Sequence, residues 1–413
     1  MGQRIVVSGI GIVSALGLGK ESTFRALCEG KSGISSIQYL QTEHAHFPVG
    51  EVKLSNAEMM DMLGIKSDTP HTRTSLMGMI AAQEALEDAH ISQNERIALA
   101  NGITVGGMDK TEQYYLDFLS NHSCDEYIAI HDCGACSEMI ADHFGELFNQ
   151  LQTISTACSS AANAIMAGAM LIKNGRADMV LAGGTECITK FHLNGFNTLM
   201  ILDNEPCKPF DANRHGINLG EGAAYVVLET KEHFLTRNAE LILAGSQQKL
   251  KPLAVLSGYA NTCDAFHQTA SSPDGEGAYR AMKQALETAH LQPSDIDYIN
   301  AHGTGTNNND NSESAAISRV FGDKIPAVSS TKGFTGHATS AAGGLETVIS
   351  ILALQHNFMP PNLNFSTKPD DLPFTPLTAG RQASPPLQHV LSNSFGFGGN
   401  NTSLLFSKYG DDE

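Results

Sequence analysis

One cysteine lies in a segment whose composition would suit nucleophilic chemistry. Cys158 belongs to TACSSAA, residues 156–162, where a β-rich run gives way to small residues that predict a helix. A helix N-terminus favours negative charge, and the thiolate is the nucleophilic form of cysteine. Small neighbours would let a substrate and backbone N–H groups approach the sulfur, as in a nucleophile elbow. From this segment alone, an inert cysteine filling a tight helix–strand contact is an equally good interpretation.

A histidine follows a second β-rich run. His302 lies in AHGTGT, residues 301–306, directly after the strand-like residues 296–299. Folds of the α/β class place ligands at the C-terminal ends of their strands. Thr304 and Thr306 would offer hydroxyls to a polar substrate there. A histidine that only caps its own loop is the alternative, and the functional interpretation is favoured over it.

A second histidine and a lysine share the segment KGFTGH, residues 332–337. The glycines of this segment give the backbone freedom beside His337. Lys332, in a tight and otherwise uncharged setting, would need a carboxylate partner. Glu313 and Asp310, which follow the His302 loop, are the candidates for that partner. A lysine on a surface loop is the alternative.

Two glycine-rich segments are compatible with phosphate or nucleotide binding, but other interpretations fit them better. NSFGFGGNN, residues 393–401, runs into a predicted strand and lacks the Lys-Ser/Thr of a P-loop. It predicts an aromatic-bearing turn that lends a backbone N–H to a site. GIGIVSALG, residues 9–17, has Ser14 where a dinucleotide fingerprint needs its third glycine. A strand with close-packed glycines is favoured over a dinucleotide-binding oxidoreductase.

These segments lie within alternating strands and helices, which indicate α/β layers. The patterns predict strands at 5–13, 179–184, 224–229, 254–259, 296–301, 327–330 and 402–406, and helices at 75–89 and 277–290. Residues 154–165 and 328–344 share one plan: a short β run, a hydroxyl-rich turn and a small-residue helix. The shared plan predicts a duplicated fold with halves at 1–249 and 250–413 and both reactive segments at one seam.

The bulk composition excludes several classes of function. The net charge of −18 argues against nucleic acid as a partner, since nucleic-acid binding needs a basic footprint. No apolar run is long enough to span a membrane, and no export signal is recognisable, so a cytoplasmic protein with reduced thiols is expected. The single CxxC, at 133–136, lacks the further ligands of a zinc site, so no metal is expected and buried thiols are favoured.

Taken together, the motifs resemble those of the elongating β-ketoacyl-[acyl-carrier-protein] synthases, which have the thiolase fold. The resemblance covers residues 4–407 and depends on motifs in a fixed order: TACSS at 156–160, PFD at 209–211 with RHG at 214–216 and GEGA at 220–223, AHGTGT, KGFTGH, and NSFGFGGN at 393–400. It implies a five-layer α-β-α-β-α architecture and a decarboxylative Claisen condensation with malonyl-acyl carrier protein. The product would be a β-ketoacyl chain in fatty acid, polyene or polyketide elongation.

The resemblance also implies residue roles. Cys158 would take the acyl chain, and its N–H would form an oxyanion hole with the N–H of Phe397, whose ring would gate the acyl pocket. His302 and His337 would hold the malonyl thioester oxygen, so that carbon dioxide loss gives a stabilised enolate. The remaining roles fall on five residues: Lys332 paired with Glu313 to fix the His302 loop, Asp310 in support, and Thr304 and Thr306 on the pantetheine arm.

The family resemblance carries expectations about partners. It implies no cofactor beyond the phosphopantetheine of an acyl carrier protein, and a homodimer, with a heterodimer with a related subunit as the alternative. The sequence is sparsely basic at 66–73 and apolar at 196–201, where carrier docking is expected, and a dedicated carrier or a partner subunit would cover Leu199 and Met200. Residues 400–401 are Asn-Asn where Thr-Asn is usual in the family. A non-catalytic subunit of a ketosynthase heterodimer is the alternative function.

Overall fold

The computed structural model describes residues 4–92, 95–243 and 250–410. The strands are β1 Ile5–Ser14, β2 Gly17–Leu18, β3 Ile97–Gly102, β4 Phe148–Ile154, β5 Met179–Glu186, β6 Gly222–Thr230, β7 Ala254–Cys263, β8 Tyr298–Asn300, β9 Ala327–Ser329, β10 Phe358–Met359, β11 Arg381–Gln382, β12 His389–Gly396 and β13 Asn400–Ser407. The helices are α1 Gly19–Glu29, α2 Asn56–Met62, α3 Arg73–Asp88, α4 Met108–Asn121, α5 Asp125–Ala129, α6 Cys133–His143, α7 Ser160–Lys173, α8 Lys190–Thr198, α9 Lys231–Leu243, α10 Glu276–Ala289, α11 Asn307–Phe321, α12 Lys332–Thr335 and α13 Ala342–His356.

Two sets of five strands follow the same plan. The first set has the order β4-β3-β5-β6-β1, and the second, counted from its own outer edge, has the order β9-β8-β12-β13-β7. In each set the first three strands are parallel and the last two join antiparallel. The sets meet where β1 pairs briefly with β7. Both sets therefore use their strands in the chain order third, second, fourth, fifth, first, as a duplicated fold requires.

Helices cover both faces of each set. Along β5, Val180 and Ala182 belong to a core shared with α7, whereas Met179 and Leu181 belong to a core shared with α3. The alternation is that of a strand buried on both faces. In the second set, β13 alternates in the same way between the α7 and α13 side and the α10 side. Helices α7 and α13 thus form a central layer, with α3 and α6 outside one sheet and α10 and α11 outside the other.

The predicted elements are confirmed, with shifted ends. Helix α13 is buried along nearly its whole length, in keeping with its mostly apolar sequence. Strand β7 runs four residues past its predicted end at 259 because it pairs with β13 as far as Cys263. Strand β8 is shorter than predicted, because its pairing with β12 and β9 is confined to Tyr298–Asn300. The predicted boundary at 249/250 falls beside residues 244–249, which lie outside the described residues, and it stays a prediction.

The glycines of β1 serve close packing. A Cβ on Gly9 would lie 2.4 Å from the carbonyl oxygen of Ala85, and one on Gly11 would lie 2.0 Å from that of Ala81. Both contacts are with the backbone of α3, so any larger residue would push this helix off the sheet. The preference for a close-packed strand over a dinucleotide fingerprint is supported.

Candidate active site

Cys158 lies in a strained turn between β4 and α7. Ala157 just before it has a φ of 52°, which is rare for a residue with a Cβ. The hydroxyl of Ser160 closes the turn, since it accepts the N–H of Thr156 at 2.9 Å and donates to the carbonyl of Ala157 at 2.7 Å. The predicted elbow is therefore present, and it holds the sulfur at the N-terminal end of α7.

The thiol of Cys158 is buried, and burial raises its pKa by more than the neighbouring positive charge and N–H group lower it. Burial raises the pKa of Cys158 to about 11, although the charge of Lys332 and the nearby N–H of Phe397 lower it. The position at a helix N-terminus, which is expected to favour the thiolate, is thus not sufficient to ionise this thiol at neutral pH. Cys158 rests as a thiol at neutral pH, so its proton has to leave when an electrophile is attacked.

Two carboxylates hold the backbone of the His302 loop. Glu313, on α11, accepts the N–H of His302 at 2.9 Å and that of Gly303 at 2.8 Å. Asp310, on the same helix, accepts the N–H of Thr304 at 3.0 Å. Hydrogen bonds from ordered N–H groups let a buried carboxylate remain satisfied. Glu313 therefore fixes the loop as expected of it, but it does so through the backbone.

The predicted pairing of Lys332 with Glu313 is wrong, and so is the other candidate, Asp310. The ammonium of Lys332 instead makes a short ion pair with Glu346, on α13, and both side chains are almost fully buried. The oxygens of Glu313 are already occupied by N–H donors. The sequence does carry a signal for the correct partner. Glu346 is the one acidic residue in a mostly apolar helix, and a buried carboxylate needs either a cation or several hydrogen-bond donors.

The two imidazoles face each other at the centre of the site. The rings of His302 and His337 lie 5.2 Å apart, almost perpendicular, and each residue is only 2% exposed. The backbone of His337 is fixed by pairing with Asn218 and Gly220, at 2.8 and 2.9 Å. Its Nδ1 is buried and has no hydrogen-bond partner among the residues that the structure describes. His337 is therefore held in place by its backbone, and its Nδ1 is available to a bound substrate.

Both imidazoles are neutral donors. Burial, and then the charge of Lys332, hold the pKa values of His302 and His337 well below the usual 6.5. The ammonium of Lys332 lies 3.3 Å from Nδ1 of His302. An ammonium can only donate, so Nδ1 of His302 accepts and its proton resides on Nε2. His302 can thus offer Nε2–H as a hydrogen-bond donor.

The predicted reactive residues line one cavity of about 930 Å³, counted to its open mouth. Cys158, His302 and His337 lie at its inner end, and the aromatic ring of Phe397 stacks on that of Phe196, 5.8 Å between centroids. The wall toward the mouth includes Thr304 and Thr306, which the sequence predicted, and Met200, Ile217 and Asn307 to Asn309, to which it gave no role in the site. Glu313 and Asp310 lie behind the wall and act through the loop they hold, whereas Lys332 acts on the ring of His302.

Neither a membrane-spanning helix nor a metal-binding cluster is found in the part of the chain that the structure describes. Within the described ranges, no helix is both long and apolar enough to cross a membrane. Over the same residues, no three His, Cys, Asp or Glu side chains are grouped so that they could hold a metal ion. Cys133 and Cys136 are free thiols, the first half-buried and the second buried.

Comparison with known proteins identifies the family. The models of the N-terminal and C-terminal domains of β-ketoacyl synthases match residues 2–233 and 253–366. The 3-oxoacyl-[acyl-carrier-protein] synthase 2 of Coxiella burnetii is 36% identical, with 99% of each chain covered. Among solved structures, the ishigamide ketosynthase/chain length factor has a TM-score of 0.88 at 29% identity, covering 99% of this chain and 100% of its own. A ketosynthase in complex with its type II polyketide acyl-carrier protein (AntDE:AntF) has a TM-score of 0.85 at 26% identity, with 99% and 100% covered.

The strand plan, the layers and these matches define a thiolase-like condensing enzyme fold, as the sequence predicted. The chain belongs to the β-ketoacyl synthase family.

Proposed function

We propose that this chain catalyses a decarboxylative Claisen condensation between an acyl group carried on Cys158 and malonyl-acyl carrier protein. The product is a β-ketoacyl-acyl carrier protein two carbons longer. One observation carries the proposal: a buried thiol and two neutral imidazoles line the inner end of a single open cavity. We assign the catalytic roles to Cys158, His302, His337 and Lys332.

The first half-reaction is acyl transfer. The sulfur of Cys158 attacks the carbonyl carbon of an acyl-carrier thioester, and the carrier thiol leaves with the proton that Cys158 gives up. The oxyanion formed on the way is stabilised by the N–H groups of Phe397 and Cys158. We infer that the Phe397 ring, which stacks on Phe196, gates the passage of the acyl chain.

The second half-reaction is decarboxylation and condensation. Nε2–H of His302 and an N–H of His337 hold the thioester oxygen of the malonyl group, and carbon dioxide loss leaves an enolate on that oxygen. The enolate carbon attacks the acyl carbonyl on Cys158, and the cysteine sulfur leaves and is reprotonated. Neutral donors suit this step, because they stabilise the negative charge that develops on the thioester oxygen. Loss of carbon dioxide itself generates the enolate, so no strong base has to remove a carbon-bound proton. Thr304 and Thr306 line the path of the pantetheine arm.

The pH dependence of decarboxylation tests the neutral imidazoles. With pKa values depressed in the folded protein, both rings keep their neutral form as the pH falls through 6.5. Glu346, whose pKa burial raises to about 7, gains a proton in the same range. Its protonation leaves the charge of Lys332 less compensated and so lowers the pKa of His302 further. Malonyl-carrier decarboxylation without an acyl donor should therefore stay within about twofold between pH 7.5 and 6. A fall with a midpoint near 6.5 contradicts the assignment.

We also propose an acyl carrier protein as partner and a dimer across the β4 edge. Strand β4 pairs only with β3 among the described residues, and α4, which packs on α5 and α8, exposes Tyr115, Leu116 and Leu119. The surface of this chain that we propose for carrier docking is apolar, since Met200 at the cavity mouth is 87% exposed. Arg73, in the stretch where basic docking residues are expected, is instead buried in an ion pair with Glu221. Carrier binding should consequently depend only weakly on salt. A homodimer and a heterodimer with a related subunit would each bury the apolar residues of α4 together with the β4 edge. A cytoplasmic location stays a prediction.

Intact mass spectrometry after incubation with a panel of acyl carriers tests the function. The expected result is one acyl adduct per chain on the native protein and none on Cys158→Ala, at 50 and at 300 mM salt alike. Failure of every carrier to acylate Cys158 would favour the alternative, a non-catalytic subunit of a ketosynthase heterodimer. An adduct that disappears at the higher salt would refute the apolar docking surface and leave the catalytic role standing.

A further inference from the structure

The turn between β12 and β13 places the N–H of Phe397 beside the sulfur of Cys158, and its glycines give it conformational freedom. Gly398 and Gly399 within it have φ values of 80° and 75°, conformations that glycine adopts without strain. Two backbone hydrogen bonds tie this turn to the segment after β7: Gly398 N–H to the carbonyl of Gln268, 2.7 Å, and Asp264 N–H to the carbonyl of Gly399, 3.1 Å. Neither of these bonds reaches the Cys158 elbow.

The two ends of the turn make the contacts with the elbow. At the first end, a Cβ added to Gly396 would lie 3.1 Å from the backbone nitrogen of Cys158, so this glycine packs directly on the elbow backbone. At the second end, Oδ1 of Asn400 accepts from the hydroxyl of Ser159, the residue after the nucleophile, at 2.8 Å. The sulfur and the N–H of Phe397 are thus bracketed by two contacts between the same pair of segments.

Two further asparagines converge on the same oxygen. The side-chain amide of Asn163, on α7, donates to Oδ1 of Asn400 at 2.9 Å and to the hydroxyl of Thr156 at 2.8 Å. The side-chain amide of Asn261, on β7, donates to Oδ1 of Asn400 at 2.7 Å. The hydroxyl of Thr402 completes the cluster by donating to Oδ1 of Asn163 at 2.7 Å. The cluster joins the elbow, α7, β7 and β13 through side chains alone.

We propose that Asn400, held by Asn163 and Asn261, is a positioning residue that keeps the Phe397 N–H in register with Cys158. The inference rests on the proposed function, because it concerns the oxyanion hole of the first half-reaction. Position 400 is also where this sequence departs from the usual Gly-Gly-Thr-Asn of the family it resembles. A threonine hydroxyl is attached directly to Cβ, one atom closer to the backbone than Oδ1, and would fall short of donors that now lie at 2.7–2.9 Å.

The test separates the two half-reactions in one protein. Asn400→Ala should slow acylation of Cys158 by about 10- to 100-fold, since small misplacements of a catalytic group are costly. Malonyl-carrier decarboxylation without an acyl donor should change by less than about threefold, because its donors are His302 and His337. Asn238→Ala, which removes a more deeply buried asparagine on α9, far from the site in the fold, is the control and should change neither rate.

A second set of variants guards against simple loss of folding. Asn261→Ala removes one donor to the Asn400 oxygen and should slow acylation less than Asn400→Ala does. The double variant should be no slower than Asn400→Ala alone, because both changes break one cluster. Equal losses of acylation and decarboxylation, or acylation as fast as in the native protein, would overturn the positioning role. If the native protein itself accepts no acyl group, the proposed function fails instead.

Discussion

Replacing Cys158 by alanine is expected to abolish condensation, by more than about 10⁴-fold, while malonyl-carrier decarboxylation continues. The substitution removes the only atom that can carry the acyl chain between the two half-reactions. It leaves His302, His337 and the Lys332–Glu346 pair untouched, because these groups come from the other half of the chain. Product formation is followed by chromatography of the β-ketoacyl product, and decarboxylation by release of carbon dioxide.

The control for this substitution is a second buried thiol. Cys136, on α6, is fully buried beside Thr72 and does not line the cavity, so Cys136→Ala should leave both activities within a few-fold of native. Condensation surviving in Cys158→Ala would end the proposed mechanism. Loss of decarboxylation together with condensation would show that the cysteine also shapes the histidine site, contrary to the separation described above.

The sequence predicted the reactive side chains because each follows a strand. Cys158, His302 and His337 come after β4, β8 and β9, and in each set of strands the corresponding parallel strands end at the same edge. Once the two similar segments predicted duplicated halves, the convergence of these residues at one seam followed from topology. Local pattern was sufficient here, since the site lies where the strand ends of both halves meet.

Contacts between distant segments could not be predicted in this way. Glu313 and Asp310 are the predicted partners of Lys332 because they lie near His302 in the sequence, yet the partner is Glu346 on the central helix. Sequence proximity says little about which carboxylate has oxygens left to accept an ammonium. The asparagine cluster could not be predicted for the same reason. Asn261 lies beyond the predicted end of β7, and its hydrogen-bond acceptor, Asn400, is far away in the chain.

The other large effect is expected when the imidazoles are removed. His302→Ala and His337→Ala should each slow malonyl decarboxylation by about 10²- to 10³-fold, the usual cost of losing one oxyanion donor. Acylation of Cys158 should remain within about tenfold, since its oxyanion is held by backbone N–H groups of Phe397 and Cys158. The double variant should lose less than the product of the single losses, because both rings hold the same oxygen.

Glutamine variants then distinguish a donor from a base. The side-chain amide of glutamine can donate an N–H to the thioester oxygen, but it cannot accept a proton at neutral pH. If His302 and His337 act as neutral donors, in line with their depressed pKa values, His302→Gln and His337→Gln should decarboxylate at least about tenfold faster than the alanine variants. If either ring instead removes a proton, glutamine and alanine should be equally slow at that position. The rate of carbon dioxide release from malonyl-carrier, measured for the four single variants at pH 7.5, separates the two mechanisms.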